Sequence, residues 1–332
     1  MDPSIIFDLQ LELGRGCASS AWVYGVLNVH SWQLALFPPE AQDEVWKENP
    51  KTLISSSYMP VAETEWVDGG VKLSGRWSFS SGCDHCDWVF LGGFVPSEEG
   101  APPDMRTFLV PRSDYEIIDN WHTSGLRGSG SKDVVVDGAF VPDHRMHKFS
   151  DGFRQNSPGN ETNPSPVYKY PFGQIHVRSV STPAVGAAFG ALDAYIEYMK
   201  SKVSQATGGK AKDSFTNSLI AAEASASLDR EVLTLRRNFT EMFGYLEKGE
   251  KIPLERRVVF RNDSARAVKV ATDVVEQLFL ACGARAAFED HPVNRHFQDA
   301  HAIRLHHANG PDGPAANMGG VLFGRKNTDF FI

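Results

Sequence analysis

Two adjacent serines and a glycine end a predicted strand, at Ser80, Ser81 and Gly82. Trp77 and Phe79 precede them in the same stretch. Serine hydroxyls can form hydrogen bonds with the edge of a flat polar ring, and an aromatic side chain can pack against its face. The pattern therefore fits a site for a heteroaromatic ligand. It also fits an ordinary strand end, in which Ser-Ser-Gly only serves the turn, and periodicity alone favours that simpler interpretation.

A histidine on a predicted helix is a second candidate for chemistry. His30 lies between Val29 and Trp32 in a segment rich in small and aromatic residues. An imidazole exchanges protons near neutral pH, but a single histidine on a helix is more often a core residue with a satisfied hydrogen bond. Both interpretations stay open from these residues alone.

Composition excludes several classes of function. The chain has 332 residues and a formal net charge of −8, which argues against a nucleic-acid partner. No apolar run reaches the roughly 20 residues that span a bilayer, and the acidic N-terminus does not resemble a signal peptide. The four cysteines predict no disulfide framework, and Cys83-x-x-Cys86 has no second pair with which to form a metal site. We expect a soluble, cytoplasmic protein without a metal ion.

The period of the apolar residues changes twice along the chain. Residues 1–48 have helical spacing, with a break at Gly14 and Gly16. Residues 49–150 contain short apolar runs between turn clusters, which predicts an antiparallel β domain. Residues 151–171 are polar and proline-rich, which predicts a surface loop. Residues 172–332 again have helical spacing over long segments, which predicts a helical bundle. We take these four ranges as the predicted domains and loop.

Two motifs carry a resemblance to a known fold family. The segment from Gly75 to Gly82 resembles the W-x-I-T-N-G flavin-binding strand of the acyl-CoA dehydrogenase fold, and the segment from Gly125 to Ser131 resembles the G-x-R-G-T-x-S turn of that family. With the serine-rich strand and the upstream Trp22 and His30, the chain more closely resembles the oxygenase components of two-component flavin monooxygenases. That group includes p-hydroxyphenylacetate hydroxylase and the secosteroid phenol hydroxylase.

The resemblance covers nearly the whole chain and implies an α+β fold. Its parts would be N-terminal helices, a central antiparallel β-barrel and a C-terminal four-helix bundle. Relatives begin with several more helices ahead of the point that matches Met1, so we expect a shortened N-terminal part. The same resemblance implies a homotetramer.

Site residues follow from the same resemblance. In many acyl-CoA dehydrogenases a glutamate is the base, but here the matching position falls on His307 and its neighbour on His306. Without a carboxylate there, abstraction of an α-proton loses its base. An imidazole suits oxygen chemistry instead, because a C4a-hydroperoxyflavin needs a proton donor. His306 is the candidate donor.

The remaining roles are assigned to residues on other segments. Ser81, with Ser80, would hydrogen-bond flavin N5, and Trp77, Phe79 and Gly82 would complete the flavin-binding strand. His30 would bind and deprotonate a phenolic hydroxyl with help from Ser56, which we select from the Ser55-Ser56-Ser57 run. Arg178 would face the pyrimidine oxygens of the flavin or, alternatively, form a surface ion pair.

We therefore interpret the chain as the oxygenase component of a two-component flavin-dependent monooxygenase. It would use FMNH2 or FADH2 from a separate NAD(P)H-flavin reductase, with O2, to hydroxylate a phenolic or related aromatic compound. It has no Gly-x-Gly-x-x-Gly motif of its own for NAD(P)H. The alternatives are an acyl-CoA dehydrogenase with bound FAD and a non-catalytic protein of the same fold.

Overall fold

The computed structural model describes residues 4–97, 103–203 and 208–332. These residues divide into two units. The first comprises the described residues within 1–25, 123–128 and 176–332, and the second comprises those within 26–122 and 129–175. The third helix belongs to the second unit and packs with its strands, because Ala41 and Val45 share a buried cluster with Ile54 and Phe90. The predicted domain bounds stay predictions.

Helices occupy both ends of the described chain. Their bounds are α1 Ser4–Gly16, α2 Ala18–Leu34, α3 Pro39–Trp46, α4 Phe149–Arg154, α5 Phe172–Ser201, α6 Phe215–Glu247, α7 Leu254–Cys282, α8 Pro292–Arg304 and α9 Asp312–Leu322. Within the first unit, α7 packs against α6, α8 and α9. The apolar spacing of the sequence predicts helices over about residues 4–37, 215–248 and 256–279, which is close to the bounds of α1, α2, α6 and α7. Helix α9 was not predicted, and the formation of a four-helix bundle stays a prediction.

Among the residues that the structure describes, eight strands lie in the second unit and form two sheets. Their bounds are β1 Ile54–Ser57, β2 Glu63–Val67, β3 Gly70–Ser80, β4 Trp88–Val95, β5 Asp104–Pro111, β6 Glu116–Ile118, β7 Lys132–Pro142 and β8 Met146–Lys148. The strand orders are β1-β4-β5-β8 and β2-β3-β7-β6.

The predicted closed, antiparallel barrel is not confirmed by this arrangement. The described strands form two separate four-stranded sheets, and β1 pairs with β4 in parallel. A parallel pair needs a long connection between its strands, and here β2 and β3 form that connection. The sequence pattern did not predict strands β2 and β8. Most residues of β2 are exposed, so the strand has no alternation of apolar residues, and β8 has only three residues. The region 151–171 contains the end of α4 and two short 3-10 turns, so it is partly ordered rather than a plain loop.

Strand β3 carries the main core of the second unit. Val71 and Leu73 alternate with more exposed residues, as expected for a strand with one buried face. Trp77 is fully buried, and its indole N–H donates to the carbonyls of Met59 at 3.1 Å and Gly92 at 2.9 Å. A Cβ atom at Gly75 would lie 2.7 Å from the Trp77 ring, so the glycine leaves room for the indole to lie over the strand.

No helix in the described ranges is both long enough and apolar enough to cross a lipid bilayer.

Loss of the Trp77 indole N–H is expected to destabilise the second unit. Trp77→Phe keeps an aromatic ring but removes the indole donor from the buried Gly92 carbonyl and from the part-buried Met59 carbonyl, which costs about 1–3 kcal/mol. The matched control is Trp66→Phe, because Trp66 is an exposed indole on β2 whose N–H also donates to a backbone carbonyl, that of Pro96. Urea unfolding followed by far-ultraviolet circular dichroism measures both. Equal unfolding midpoints for the two variants would contradict this account of the core.

Candidate functional site

The end of β3 has an irregular backbone. The pairing of β3 with β7 shifts register between Trp77 and Ser80, and Phe79 within that bulge has φ of 67°. A non-glycine residue in this region costs of order 1–3 kcal/mol and persists where the surrounding structure imposes it. The bulge turns the Phe79 ring outward: its side chain is 62% exposed and meets the edge of Trp121. A strained backbone that presents an aromatic ring is typical of a ligand-binding position.

Serine hydroxyls cluster directly beside this bulge. Ser81 Oγ lies 2.7 Å from Ser131 Oγ, which lies 2.8 Å from Ser129 Oγ, and the Gly82 amide donates to the Ser129 carbonyl at 2.9 Å. The Ser80 hydroxyl is buried and makes no hydrogen bond to any described residue. Such an unpaired hydroxyl costs about 1–3 kcal/mol, which the polar edge of a bound ring could recover. The residues at this strand end therefore fit a flavin ring. Trp77 is in the core behind the strand, where it supports the strand.

His30 and Ser56, which the sequence places on different segments, are in hydrogen-bond contact. His30 Nδ1 lies 2.7 Å from the Ile54 carbonyl oxygen, and His30 Nε2 lies 2.7 Å from Ser56 Oγ. A carbonyl only accepts, so Nδ1 carries the proton and donates it to Ile54. Nε2 is then an acceptor for the Ser56 hydroxyl. Strand β1 fixes both partners, because it supplies Ile54 and Ser56. The choice of Ser56 within the serine run agrees with this geometry, since Ser57 Oγ donates to the Ser78 carbonyl.

Aromatic residues surround the His30–Ser56 pair. The Tyr58 hydroxyl, two residues along the chain from Ser56, donates to Gln33 Oε1. The Tyr58 ring meets the edges of Phe149 and Phe172, with ring centroids 5.6 Å apart in each case. Burial raises the pKa of Tyr58 far above its usual value, so this hydroxyl stays protonated. Together these groups form a polar chain beside a wall of rings, which suits a small aromatic molecule with one hydroxyl.

Burial keeps His30 neutral. It lowers the pKa of His30 to about 4, although the hydrogen bond to the Ile54 carbonyl opposes the shift. At neutral pH the ring is therefore an uncharged acceptor at Nε2. The core interpretation and the catalytic interpretation of His30 are both compatible with its burial, but a core histidine does not require an acceptor nitrogen that faces a half-buried serine.

His306 has the opposite tautomer in the first unit. Its Nδ1 accepts from the Ala308 amide at 3.2 Å, so the neutral ring carries its proton on Nε2. Trp22 and His176 flank the ring, with centroid distances of 5.5 and 5.9 Å. Asn309 fixes the turn, because its side-chain amide donates to the carbonyls of Val180 and Ile303. His306 is thus held with an N–H that can be donated.

The charge state of His306 corrects one expectation. A proton donor at neutral pH would need the ordinary imidazole pKa near 6.5, but desolvation, with smaller contributions from His307 and Arg261, lowers the pKa of His306 to about 4. At neutral pH the ring donates through a neutral N–H rather than as an imidazolium. An anion bound beside it would raise this pKa, because an opposite charge favours the protonated ring. His307 itself is exposed.

Arg178 is buried, so the alternative of a surface ion pair is wrong. It lies on α5 in the first unit, where its guanidinium donates to Thr182 Oγ1 at 2.7 Å and lies over the Phe7 ring. No carboxylate among the described residues is within 4 Å of it, and its Nε has no hydrogen-bond partner there. Burial lowers the pKa of Arg178 to about 9, with an opposing contribution from Asp8, so it is still a cation at neutral pH. The predicted contact with flavin stays a prediction.

Several residues of the site were missed. Tyr58, Gln33 and Phe172 were not singled out, although Tyr58 directly follows the serine run. Ser129 and Ser131 were quoted only as part of a turn motif. Their contacts join residues from distant segments, which a local pattern does not reveal. Within the described part of the chain, no group of three or more His, Cys, Asp or Glu side chains could hold a metal ion, and the thiols of Cys83 and Cys86 are buried and free.

Buried neutral histidines are expected to make the protein sensitive to acid. Burial lowers the pKa of His30, His147 and His296 to about 4 each. In the unfolded chain these rings bind protons near pH 6.5, so stability is fully present above that pH and is lost as the pH falls to about 4. Each histidine accounts for about 3 kcal/mol of that loss.

His147→Gln tests this prediction, because glutamine can still form a hydrogen bond with Ser157. The free energy of unfolding, measured by urea from pH 6.5 to 4, should fall less steeply in this variant by about 1.4 kcal/mol per pH unit. The exposed His122→Gln is the control and should retain the wild-type slope. An unchanged slope in His147→Gln would show that His147 titrates normally.

Comparison with known proteins gives the family of this chain. Residues 179–311 match the family model described as acyl-CoA dehydrogenase, C-terminal domain. The chain is 41% identical over its full length to the flavin-dependent monooxygenase oxygenase subunit HsaA of Rhodococcus jostii strain RHA1, and it covers 87% of that protein. It is 34% identical over 96% of its length to the oxygenase component of an FADH2-dependent resorcinol hydroxylase of Rhizobium sp. strain MTP-10005, of which it covers 80%.

A solved structure agrees with these relatives. The crystal structure of 3-HSA hydroxylase from Rhodococcus sp. RHA1 superimposes with a TM-score of 0.95 at 40% identity, over all of this chain and 85% of that one. The chain therefore has the acyl-CoA dehydrogenase-like fold and belongs to the family of oxygenase subunits of flavin-dependent monooxygenases.

Proposed function

We propose that this chain hydroxylates a small phenolic compound, with reduced flavin and O2 as co-substrates. The observation that carries the proposal is the hydrogen-bonded pair of His30 and Ser56 beside the aromatic wall of Tyr58, Phe149 and Phe172. A phenol needs an acceptor for its hydroxyl and rings for its faces, and this region of the second unit supplies both. The resorcinol hydroxylase relative supports a phenolic substrate by its name.

The His30–Ser56 pair would increase the electron density of the phenol. The substrate hydroxyl would donate to Ser56 Oγ while Ser56 donates to His30 Nε2, so that a proton can shift along the chain towards His30. A phenol has a pKa of about 10 and His30 one of about 4, so complete transfer beforehand would cost about 8 kcal/mol. The pair therefore shares the proton as the carbon–oxygen bond forms, rather than storing a phenolate.

The serine cluster at the end of β3 would hold the flavin. Ser80 and Ser81 would hydrogen-bond the polar edge of the ring, and Phe79 offers an exposed aromatic face at the bulge. Reduced flavin, when bound, supplies the electrons that activate O2 for insertion of one oxygen atom. The name of the resorcinol relative favours FADH2, although FMNH2 remains compatible with the residues. Arg178 is a further candidate for this ligand, as a buried cation without a carboxylate partner.

His306 would act as the hydrogen-bond donor during oxygen activation. Its Nε2–H is fixed by the contact of Nδ1 with the Ala308 amide. Negative charge that develops next to the ring would be stabilised by that N–H. The absence of a carboxylate at positions 306 and 307 argues against the acyl-CoA dehydrogenase alternative, and the family of the relatives agrees.

Partners follow from the same assignment. The names "oxygenase subunit" and "oxygenase component" of the relatives support a separate reductase that supplies reduced flavin. We further infer a homotetramer with a complete barrel and helical bundle in each subunit, located in the cytoplasm. These are inferences from the resemblance, and size-exclusion chromatography with light scattering would test the tetramer.

Hydroxylation should require reduced flavin from outside the chain. The purified protein with NADH or NADPH alone should form no product, because the sequence contains no Gly-x-Gly-x-x-Gly motif for a dinucleotide. Addition of a flavin reductase and FAD should then allow hydroxylation of resorcinol-like phenols, measured by chromatography with O2 uptake. Oxidation of NADPH by the chain alone would contradict a two-component system, and bleaching by an acyl-CoA would favour a dehydrogenase.

Substitution of His30 should affect product formation more than oxygen consumption. His30→Ala should lower the rate of hydroxylation by ~10²–10⁴, the usual contribution of a general base, while O2 is still consumed and released as hydrogen peroxide. Raising the pH towards about 10 should partly restore the product, because phenolate then comes from solution. Ser56→Ala should behave in the same way.

The control for this experiment is His122→Ala, which removes an exposed histidine of the same unit. Single-turnover product yield against pH separates the two roles of His30. If the variant loses stability and both activities together, without rescue at high pH, His30 is a packing residue.

A further inference from the structure

The C-terminal segment, defined here as residues 327–331, is tied into the first unit by side-chain hydrogen bonds. Asn317 of α9 accepts a hydrogen bond at Oδ1 from the Thr328 amide, at 2.8 Å, and donates one from Nδ2 to Asn327 Oδ1, at 2.9 Å. Asn327 Oδ1 also accepts the Asp329 amide, and Asp329 Oδ1 accepts the Phe331 amide at 2.9 Å. These hydrogen bonds give the segment a defined conformation, which positions the side chains of Asp329 and Phe331.

Asp329 forms a buried ion pair with α7. Its Oδ2 lies 3.2 Å from Arg261 Nε, and only 9% and 3% of the two side chains are exposed. A buried guanidinium is costly unless a carboxylate compensates it, so removal of Asp329 would leave an unpaired charge inside the unit. Arg261 also lies 5.2 Å above the Phe331 ring. Asp329 and Phe331 therefore both contact the guanidinium of Arg261.

Phe331 connects this ion pair to the histidines. Its ring is stacked on His176 at 5.7 Å with an interplanar angle of 13°, and it lies 5.9 Å from His307. His176 in turn lies 5.9 Å from His306. Two of the histidine rings near His306, those of His176 and His307, therefore contact the Phe331 ring.

We propose that the C-terminal segment is a positioning element for His306, in which Phe331 fixes the neighbouring rings and Asp329 offsets the charge of Arg261. The importance of His306 for the reaction rests on the function proposed above. The positioning itself is a property of the ligand-free chain. The segment would set both the orientation of the His306 ring and the electrostatic potential around it.

The titratable groups that face His306 come from several elements. They are His176 of α5, Arg261 of α7, its own neighbour His307 and, through Arg261, Asp329 of the C-terminal segment. Arg261 and His307 both disfavour protonation of His306. Loss of the Asp329 carboxylate should strengthen the effect of Arg261 on the pKa of His306. Loss of the Arg261 guanidinium should remove that effect.

Histidine-ring NMR of the ligand-free protein tests the proposal, with His306→Gln to assign the resonance. Asp329→Asn should lower the pKa of His306 by roughly half a unit to one unit, and Arg261→Gln should raise it by a similar amount, as expected for a charge at about 10 Å in a protein interior. Phe331→Leu should shift the ring resonances of His306 and His176. Asp329→Glu, which restores the charge, should return the pKa of His306 towards the wild-type value.

Matched controls use the same substitutions on exposed residues near the C-terminus. Asp312→Asn and Phe323→Leu should leave the His306 resonance and its pKa unchanged. The proposal is overturned if Asp329→Asn, Arg261→Gln and Phe331→Leu lower the free energy of unfolding but leave the ring resonance and pKa of His306 unchanged. If Asp329→Asn does not fold, Phe331→Leu and Asp329→Glu still decide the question.

The same variants separate this proposal from the proposed function. In the complete system with reductase, Phe331→Leu should release more hydrogen peroxide per product than wild type, with an unchanged KM for the phenol. A wild-type chain that never hydroxylates phenols would refute the proposed function. The NMR result would still confirm or refute the positioning of His306.

Discussion

Hydrogen bonds from backbone groups decide which nitrogen of each candidate histidine carries its proton. The Ile54 carbonyl accepts from His30 Nδ1, so His30 presents an acceptor at Nε2. The Ala308 amide donates to His306 Nδ1, so His306 presents a donor at Nε2. Two residues of the same type thus have opposite properties at neutral pH, although burial lowers the pKa of both to about 4. The proposed division of labour between them depends on this difference.

Neutrality of these rings also limits the chemistry that they can do. A histidine with a pKa of about 4 cannot store a proton at neutral pH, and it cannot remove one completely from a phenol. It can hold a hydrogen bond in a fixed direction and stabilise charge as it develops. Such a hydrogen bond is stronger in a preorganised, poorly solvated site than in water. The structure therefore favours a mechanism of directed hydrogen bonds over one of separate protonation steps.

Strand β3 connects the core of the second unit to its candidate ligand site. Trp77 is fixed in the core by two hydrogen bonds. Three residues later the strand ends at Ser80, which is buried, as is Ser81 after it. Between them, the bulge at Phe79 changes the side-chain alternation and exposes an aromatic ring. A change at Trp77 should alter the binding edge as well as the stability, because Trp77 lies on the same strand, two residues from Phe79 in the bulge.

Local patterns in the sequence determined the helices, most of the strands and the types of the candidate residues. Each of α1, α6, α7 and β3 buries one face, and this burial requires apolar residues at a regular spacing. That spacing can be seen within the segment itself. Motif resemblance correctly gave the fold and the family. The parallel pairing of β1 with β4, and the exposed strand β2, were decided only by contacts between distant segments.

Tertiary structure also decided what each candidate residue can do. A sequence records that His30, Ser56 and His306 are present, but a tautomer and a pKa depend on neighbours such as Ile54 and Ala308 and on the exclusion of water. The same holds for Arg178, whose burial excluded a surface ion pair, and for Phe331, which reaches His176 from the far end of the first unit. The chemical groups are local properties of the chain, whereas their protonation and direction are properties of the folded environment.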